Sequence, residues 1–175
     1  MSPSTAWGPP IWRFFHCLAE NIKDERFSVV GPAVFGIMKQ ICKNLPCPIC
    51  SVHATTFLSS VKFQFIKNKR DFVLLLFIFH NTVRKRKGQS IFSEAELSMY
   101  KNCNVGQYFN QFVDAYNTKG HMKLMSDSFA REITIRQVKQ FLIKYKQLFL
   151  SPNSSISIVA STMAAAASSN PTLTA

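Results

Sequence analysis

The stretch "FVLLLFIFHNTVRKRKG", residues 72–88, decides the fold class. Its first eight residues are an unbroken apolar run, which periodicity alone fits to a buried strand or a buried helix. The pattern does not stop where a strand would. It runs on through His80, Asn81 and Val83 into the cations Arg84, Lys85, Arg86 and Lys87, and Gly88 closes it. That length with a terminal glycine is the mark of a helix and its C-terminal stop. The apolar part is far below the ~18–20 residues that span a bilayer. Residues 71–87 are therefore expected to form a buried helix of an all-α protein.

The flanking segments agree. Upstream, "WGPPIWRFFHCLAE" predicts a helix from Trp7 to about Glu20, punctuated at its start by Gly-Pro-Pro. Val30, Val34, Ile37, Met38 and Ile41 form a stripe at 3–4 spacing that predicts a second helix over 28–44. "LPCP" ends it, and "CSVHATTFLSSVKFQF" reads as a third. Downstream, "SEAE" after Ser93 gives a hydroxyl cap and an acidic first turn for a short helix. Further helices are expected over about 105–117 and 129–149, the latter amphipathic and basic. Residues 1–6 read as a flexible arm and 104–150 as a basic helical extension. Residues 151–175, rich in Ser, Ala and Thr, read as a disordered tail that cannot bury enough apolar surface to offset ordering.

The chain has 175 residues, 47% of them hydrophobic, enough for one well-cored domain. Sixteen Phe imply a core of packed rings. A net charge of +12 favours anionic partners, whether nucleic acid, phosphate-bearing cofactors or acidic proteins, without choosing among them. The opening "MSPSTAWGPP" lacks the basic start and apolar core of a secretory signal, so a soluble protein of the cytoplasm, neither secreted nor membrane-spanning, is expected. In a reducing compartment a close cysteine pair is more often redox-active or metal-binding than a passive staple.

That pair is Cys47 and Cys50 in "LPCPIC". With Cys47 as N-cap of the third helix, Pro48 takes the first helical position and the helix start stabilises a thiolate. Cys50 then lies within disulfide reach. A metal site competes with this: Cys42, Cys47, Cys50 and His53 supply four soft zinc ligands in twelve residues. Cys17, Cys42 and Cys103 read as small buried core residues. Elsewhere, Trp12 and His16 share a helix face, and His80, Arg84 and Gly88 form another i, i+4 stripe with Asn81 beside it. Taken singly, each of these residues is satisfied by ordinary core packing.

Taken together, "WGPPIWRFFH", "LPCPIC" and "FHNTVRKRKG" resemble, in order and separation, the Erv/ALR family of FAD-linked sulfhydryl oxidases. Gly8, Trp12 and His16 match that family's first element, and Pro46, Cys47 and Cys50 its second. His80, Asn81, Val83 and Gly88 match the third. Arg84, Lys87 and Gln89 stand where the family has Asn, Leu and Lys, and Pro9 where cellular members often have Arg. The second structural cysteine pair of cellular members has no counterpart after Cys50, where only Cys103 follows. The chain looks most like the minimal versions encoded by large DNA viruses.

The resemblance, over about residues 7–103, implies a four- or five-helix bundle holding FAD, with additional C-terminal helices. Cys47 is then the outer thiol that exchanges with substrate, and Cys50 passes electrons to the flavin and on to O2, yielding H2O2. Gly8, Trp12, His16, His80, Asn81 and Val83 are implied around the cofactor, with Arg84 and Lys87 at its diphosphate and His53 tuning Cys50. Partners implied are thiol-bearing proteins or a thioredoxin-like relay, and a second copy of the chain in a homodimer. The setting implied is an infected cell's cytoplasm or a virion. Two rivals are a nucleic-acid binder using "RKRKG" and the basic helix 131–146, and a zinc-stabilised interaction module using Cys42, Cys47, Cys50 and His53.

Overall fold

The computed structural model describes residues 4–117 and 125–150. The expected tail at 151–175 lies outside them. Six α-helices appear in chain order: α1 (Ser4–Glu20), α2 (Phe27–Lys43), α3 (Pro48–Ser60), α4 (Lys69–Arg86), α5 (Val105–Tyr116) and α6 (Met125–Tyr145). Short 3-10 turns lie between them. Among the described residues there is no strand, and an isolated antiparallel bridge joins Ile22 to Phe149. The protein is all-α, as its sequence predicts. No helix among the described residues is long and apolar enough to cross a membrane.

α1 runs through the middle and packs against α4 and α5. Trp7, Ile11, Phe14, Phe15 and Leu18 form its buried face at 3–4 spacing. Phe14 stacks on Phe112 of α5 at 5.0 Å and leans on Phe109 at 5.8 Å. Each such fully buried aromatic contributes roughly 2–3 kcal/mol of transfer free energy. The helix begins at Ser4, so residues 4–6 of the expected arm belong to it, and residues 1–3 lie outside the described residues. Trp7, 4% exposed, anchors the extra turn, and the Lys87 ammonium lies 5.8 Å over its ring and 3.0 Å from Ser4 Oγ.

α3 also departs from expectation: it ends at Ser60 rather than continuing through Phe65. Val61 is extended, and Phe63 leaves the helix to stack on Phe35 at 4.7 Å. α4 begins under an Asn68 cap, whose side chain accepts the Asp71 N–H. It ends in a Schellman turn, in which Gln89 N–H reaches Arg84 O and Gly88 N–H reaches Lys85 O. Gly88 sits at φ +66°, a backbone shape that residues with a side chain rarely adopt. Ser93 caps the 3-10 helix Glu94–Tyr100 with a full capping box to Glu96.

The larger correction concerns Cys17 and Cys103, expected as separate core residues. They form a disulfide across 86 positions, with Cα atoms 6.0 Å apart. The bond ties the segment after the Glu94–Tyr100 turn to α1. Buried Asn21 braces it, donating to Cys17 O at 2.8 Å and Tyr100 O at 3.1 Å. Cys42 is free and buried, as expected.

α6 lies on α2. Its buried stripe is Arg131, Thr134, Val138, Phe141 and Leu142. Thr134 Oγ1 accepts from Asn44 Nδ2 at 3.0 Å, and Tyr116 OH donates to Ile41 O at 3.0 Å. The C-terminal helices thus brace the end of α2, immediately before the Cys47 segment.

Candidate active site

Cys47 and Cys50 are joined by a disulfide, with Cα atoms 5.2 Å apart. Cys47 is the extended N-cap of α3, Pro48 follows in the first turn, and Cys50 N–H donates to Cys47 Sγ at 3.2 Å. The helix start is built around a sulfur, and it will favour a thiolate there when the bond is reduced. Ser51 Oγ locks this turn to the end of α2 by donating to Cys42 O at 2.8 Å.

Cys50 faces inward. It lines a cavity of about 40 Å³ together with Trp7, Gly8, Trp12, Cys42, Phe79 and Lys87. Cys47 is not part of that wall. A groove of about 330 Å³ lies alongside and shares Gly8, Trp12, Val83 and Lys87 with the cavity; its further walls include Arg13, His80, Arg84, Gln89 and Phe92. Burial pushes the Cys42 thiol up to about 12, so it stays protonated beside the reactive pair.

Gly8 tests what the junction is shaped for. It is buried within α1, where glycine costs roughly 0.5–1 kcal/mol relative to alanine. Yet a Cβ placed there meets nothing within 4 Å beyond its own helix backbone and its neighbours Trp7 and Pro9. Pro9 favours a glycine before it in a helix, but no packing across the fold requires one, and a Cβ would project into the space that cavity and groove share. That space is walled by aromatic rings, one disulfide sulfur and cations. FAD fits this set: its flat ring system suits the rings and sulfur, and its diphosphate the cations.

The ring wall is built by α1 and α4 together. Trp12 stacks on His80 at 4.2 Å with 13° between planes. His16 Nε2 and His80 Nδ1 are 3.1 Å apart, so one ring donates to the other and the accepting ring must be neutral. Phe92 and Tyr100 cover His16 at 5.4 and 5.1 Å. Burial lowers His16 to about 4. Burial, then His16 and Arg84, lower His80 to about 3.

Asn81 and Arg84, one turn apart on α4, hold the returning loop. Asn81 Nδ2 donates to Phe92 O at 3.0 Å, and Phe92 N–H donates back to Asn81 Oδ1 at 2.8 Å. Arg84 Nε donates to Ser90 O, and Nη2 donates to Ser90 Oγ at 3.1 Å. This fixes the Phe92 ring against the histidines. Burial, then Arg86, lowers the Lys87 ammonium, which keeps its place at the mouth of the cavity.

Gly8, Trp12, His80, Val83, Arg84 and Lys87 thus meet around the cavity and groove, with Cys50 at one end and His16 bonded behind His80. Asn81 stands one step back, holding Phe92. His53 is exposed on α3 and lines neither space. The four candidate zinc ligands are not assembled: Cys47 and Cys50 bond each other and Cys42 is buried. Among the described residues no group of three or more His, Cys, Asp or Glu could hold a metal ion. Sequence reasoning passed over Trp7, Phe79, Phe92 and Tyr100. Trp7 was findable, since it lies four residues before Ile11 and five before Trp12 on one helix, whereas Phe92 comes to the site only through the loop.

Comparison with known proteins agrees with this geometry. The Erv1/Alr family model matches residues 9–104. A protein of Invertebrate iridescent virus 6 named "Putative FAD-linked sulfhydryl oxidase 347L" is 26% identical over 95 residues, which covers 51% of this chain and 86% of that protein. No solved structure gives a significant match.

Proposed function

The chain belongs to the Erv1/Alr family, and from that membership we propose that it is an FAD-linked sulfhydryl oxidase that makes disulfides in protein substrates. The observation that carries the proposal is the shared cavity wall. One sulfur of a helix-capping disulfide, Cys50, faces the same space as Trp12 and the open side of Gly8.

The chain's own part in the chemistry follows from the two sulfurs' positions. A substrate thiolate attacks Cys47 Sγ, the sulfur outside the cavity; a substrate–Cys47 disulfide forms and Cys50 leaves as thiolate. A second substrate thiolate then attacks the substrate sulfur and expels Cys47. That departure is eased because the released sulfur sits at a helix start and receives the Cys50 N–H. The substrate leaves as a disulfide, and its two electrons stay on the Cys47/Cys50 dithiol. FAD, when bound, would supply the two-electron acceptor for that dithiol, with O2 as the final oxidant and H2O2 as product. Trp12 and His80 would offer a flat wall to the ring system, and Arg84 and Lys87 would offer cations to the diphosphate. His16 holds His80 in place. The apolar lining from Trp7, Ile11, Phe15, Leu45 and Phe79 keeps water from the sulfur facing the cavity.

Freshly purified protein should be yellow and release FAD on denaturation. Dithiothreitol should bleach it under anaerobic conditions, and air should restore the colour with peroxide formed. Cys50→Ser should keep FAD and lose turnover by at least about a hundredfold. A colourless protein that gains no thiol oxidase activity when FAD is supplied would refute the proposal.

A further inference from the structure

The outward side of α3 changes character along its length. Ile49, between the two cysteines, is 69% exposed and Val52 is 62% exposed. Pro48 is exposed as well. Farther along the same face stand Thr56, Ser59 and Ser60, all exposed and all polar. The residues that α3 buries, Ala54 and Leu58, lie on the opposite side. Exposed aliphatic surface on this helix is therefore confined to the end that carries the disulfide. Scattered apolar residues are ordinary on a protein surface; three neighbours flanking one reactive bond are a patch.

Charge gives an independent observation. Residues 44–61, "NLPCPICSVHATTFLSSV", contain no Asp, Glu, Lys or Arg, in a chain that is 17% charged with a net charge of +12. Lys43 and Lys62 bracket the stretch. The segment that carries the disulfide thus brings no carboxylate, ammonium or guanidinium of its own to a basic molecule, and its one basic side chain is the imidazole of His53. This stretch matches an uncharged, apolar segment and gives no attraction to an anionic small thiol.

We propose that Pro48, Ile49 and Val52 form a docking surface for an apolar polypeptide segment adjoining the substrate's cysteine. This rests on the oxidase function proposed above and names its substrate class: protein thiols with aliphatic or aromatic neighbours. While the substrate sulfur is bonded to Cys47, the residues beside it lie against Ile49 and Val52, and the apolar area removed from water selects among substrates.

The test uses the FAD-loaded full chain and two reduced dicysteine peptides that differ only in whether Leu and Phe or Ser and Gln flank the cysteines. The parental enzyme should prefer the apolar peptide by about tenfold in kcat/KM, equivalent to roughly 1.4 kcal/mol of selective burial. The preference should hold from low to high NaCl. It should collapse towards unity in Val52→Ser and in Ile49→Ser/Val52→Ser; taking the ratio cancels any change in the disulfide itself. Equal kcat/KM for the two peptides, or an undiminished preference in the double variant, overturns the proposal. A dimer that dissociates in the double variant overturns it too, because a second copy would then cover this face. Failure of the parental enzyme to oxidise dithiothreitol is a separate result: it removes the oxidase function and this proposal with it.

Discussion

Gly8 stands in α1 immediately before Pro9, and its role is measurable. Gly8→Ala lifts a backbone-entropy cost of roughly 0.5–1 kcal/mol, while the Pro9 ring disfavours a helical backbone for a preceding residue that carries a Cβ. The two effects oppose, so the FAD-free protein should melt within about 2 °C of the parent. The same methyl group enters the space that cavity and groove share, where nothing across the fold lies within 4 Å, so FAD should bind at least about tenfold more weakly. A nearly unchanged apoprotein melting temperature with weakened flavin affinity is the expected pair. A glycine kept only for packing would lose stability on substitution and leave affinity alone. Gly31 is that other kind: a Cβ there falls 2.6 Å from the Phe27 ring, so alanine must displace a core aromatic.

Among the elements, the legible ones announce themselves locally. α4 carries its stop signal in Gly88, α3 its start in the Cys47 cap and Pro48, and the Glu94–Tyr100 turn its capping box. Their positions followed from propensity and periodicity. The start of α1 and the end of α3 did not, because Trp7 and Phe63 are placed by rings and a lysine far along the chain. Trp12, His80 and Cys50 were legible as a set only through the family pattern, since nothing in their spacing makes helices 1, 3 and 4 converge. The Cys17–Cys103 bond was hidden for the same reason: its partners are 86 positions apart, and neither has a neighbouring cysteine. Removing it as Cys17→Ser/Cys103→Ser leaves no stray thiol and should lower unfolding free energy by roughly 3–5 kcal/mol. Flavin should also be held less tightly, because Tyr100, three residues before Cys103, stacks on His16. Denaturant unfolding and flavin titration of that variant read the two effects separately.

At the scale of the whole molecule, two long-range ties bear on the site. The first is α6, whose Thr134 hydroxyl accepts from Asn44 three residues before Cys47. Thr134→Val keeps the buried shape and removes the acceptor. It should cost roughly 1–2 kcal/mol in denaturant unfolding, and by loosening the segment 44–47 it should slow thiol exchange more than it alters FAD affinity. The second tie is the His16–His80 pair, which joins α1 to α4 and is lost once the accepting ring takes a proton. Their folded values, about 4 and about 3, lie below the ordinary 6.5. In the window between, the unfolded chain binds protons that the folded chain excludes, so stability rises with pH. The contribution is complete above about pH 6.5 and is lost as pH falls towards 4. Glu20, raised by burial first, works in the opposite direction from a half-buried place. Melting temperature should therefore hold steady from pH 8 to 7 and drop by several degrees by pH 5. His16→Gln, with one titrating ring fewer, should show the shallower fall. Parallel curves for parent and variant would mean that the acid sensitivity arises elsewhere, and that the pair does not couple the two helices as its geometry requires.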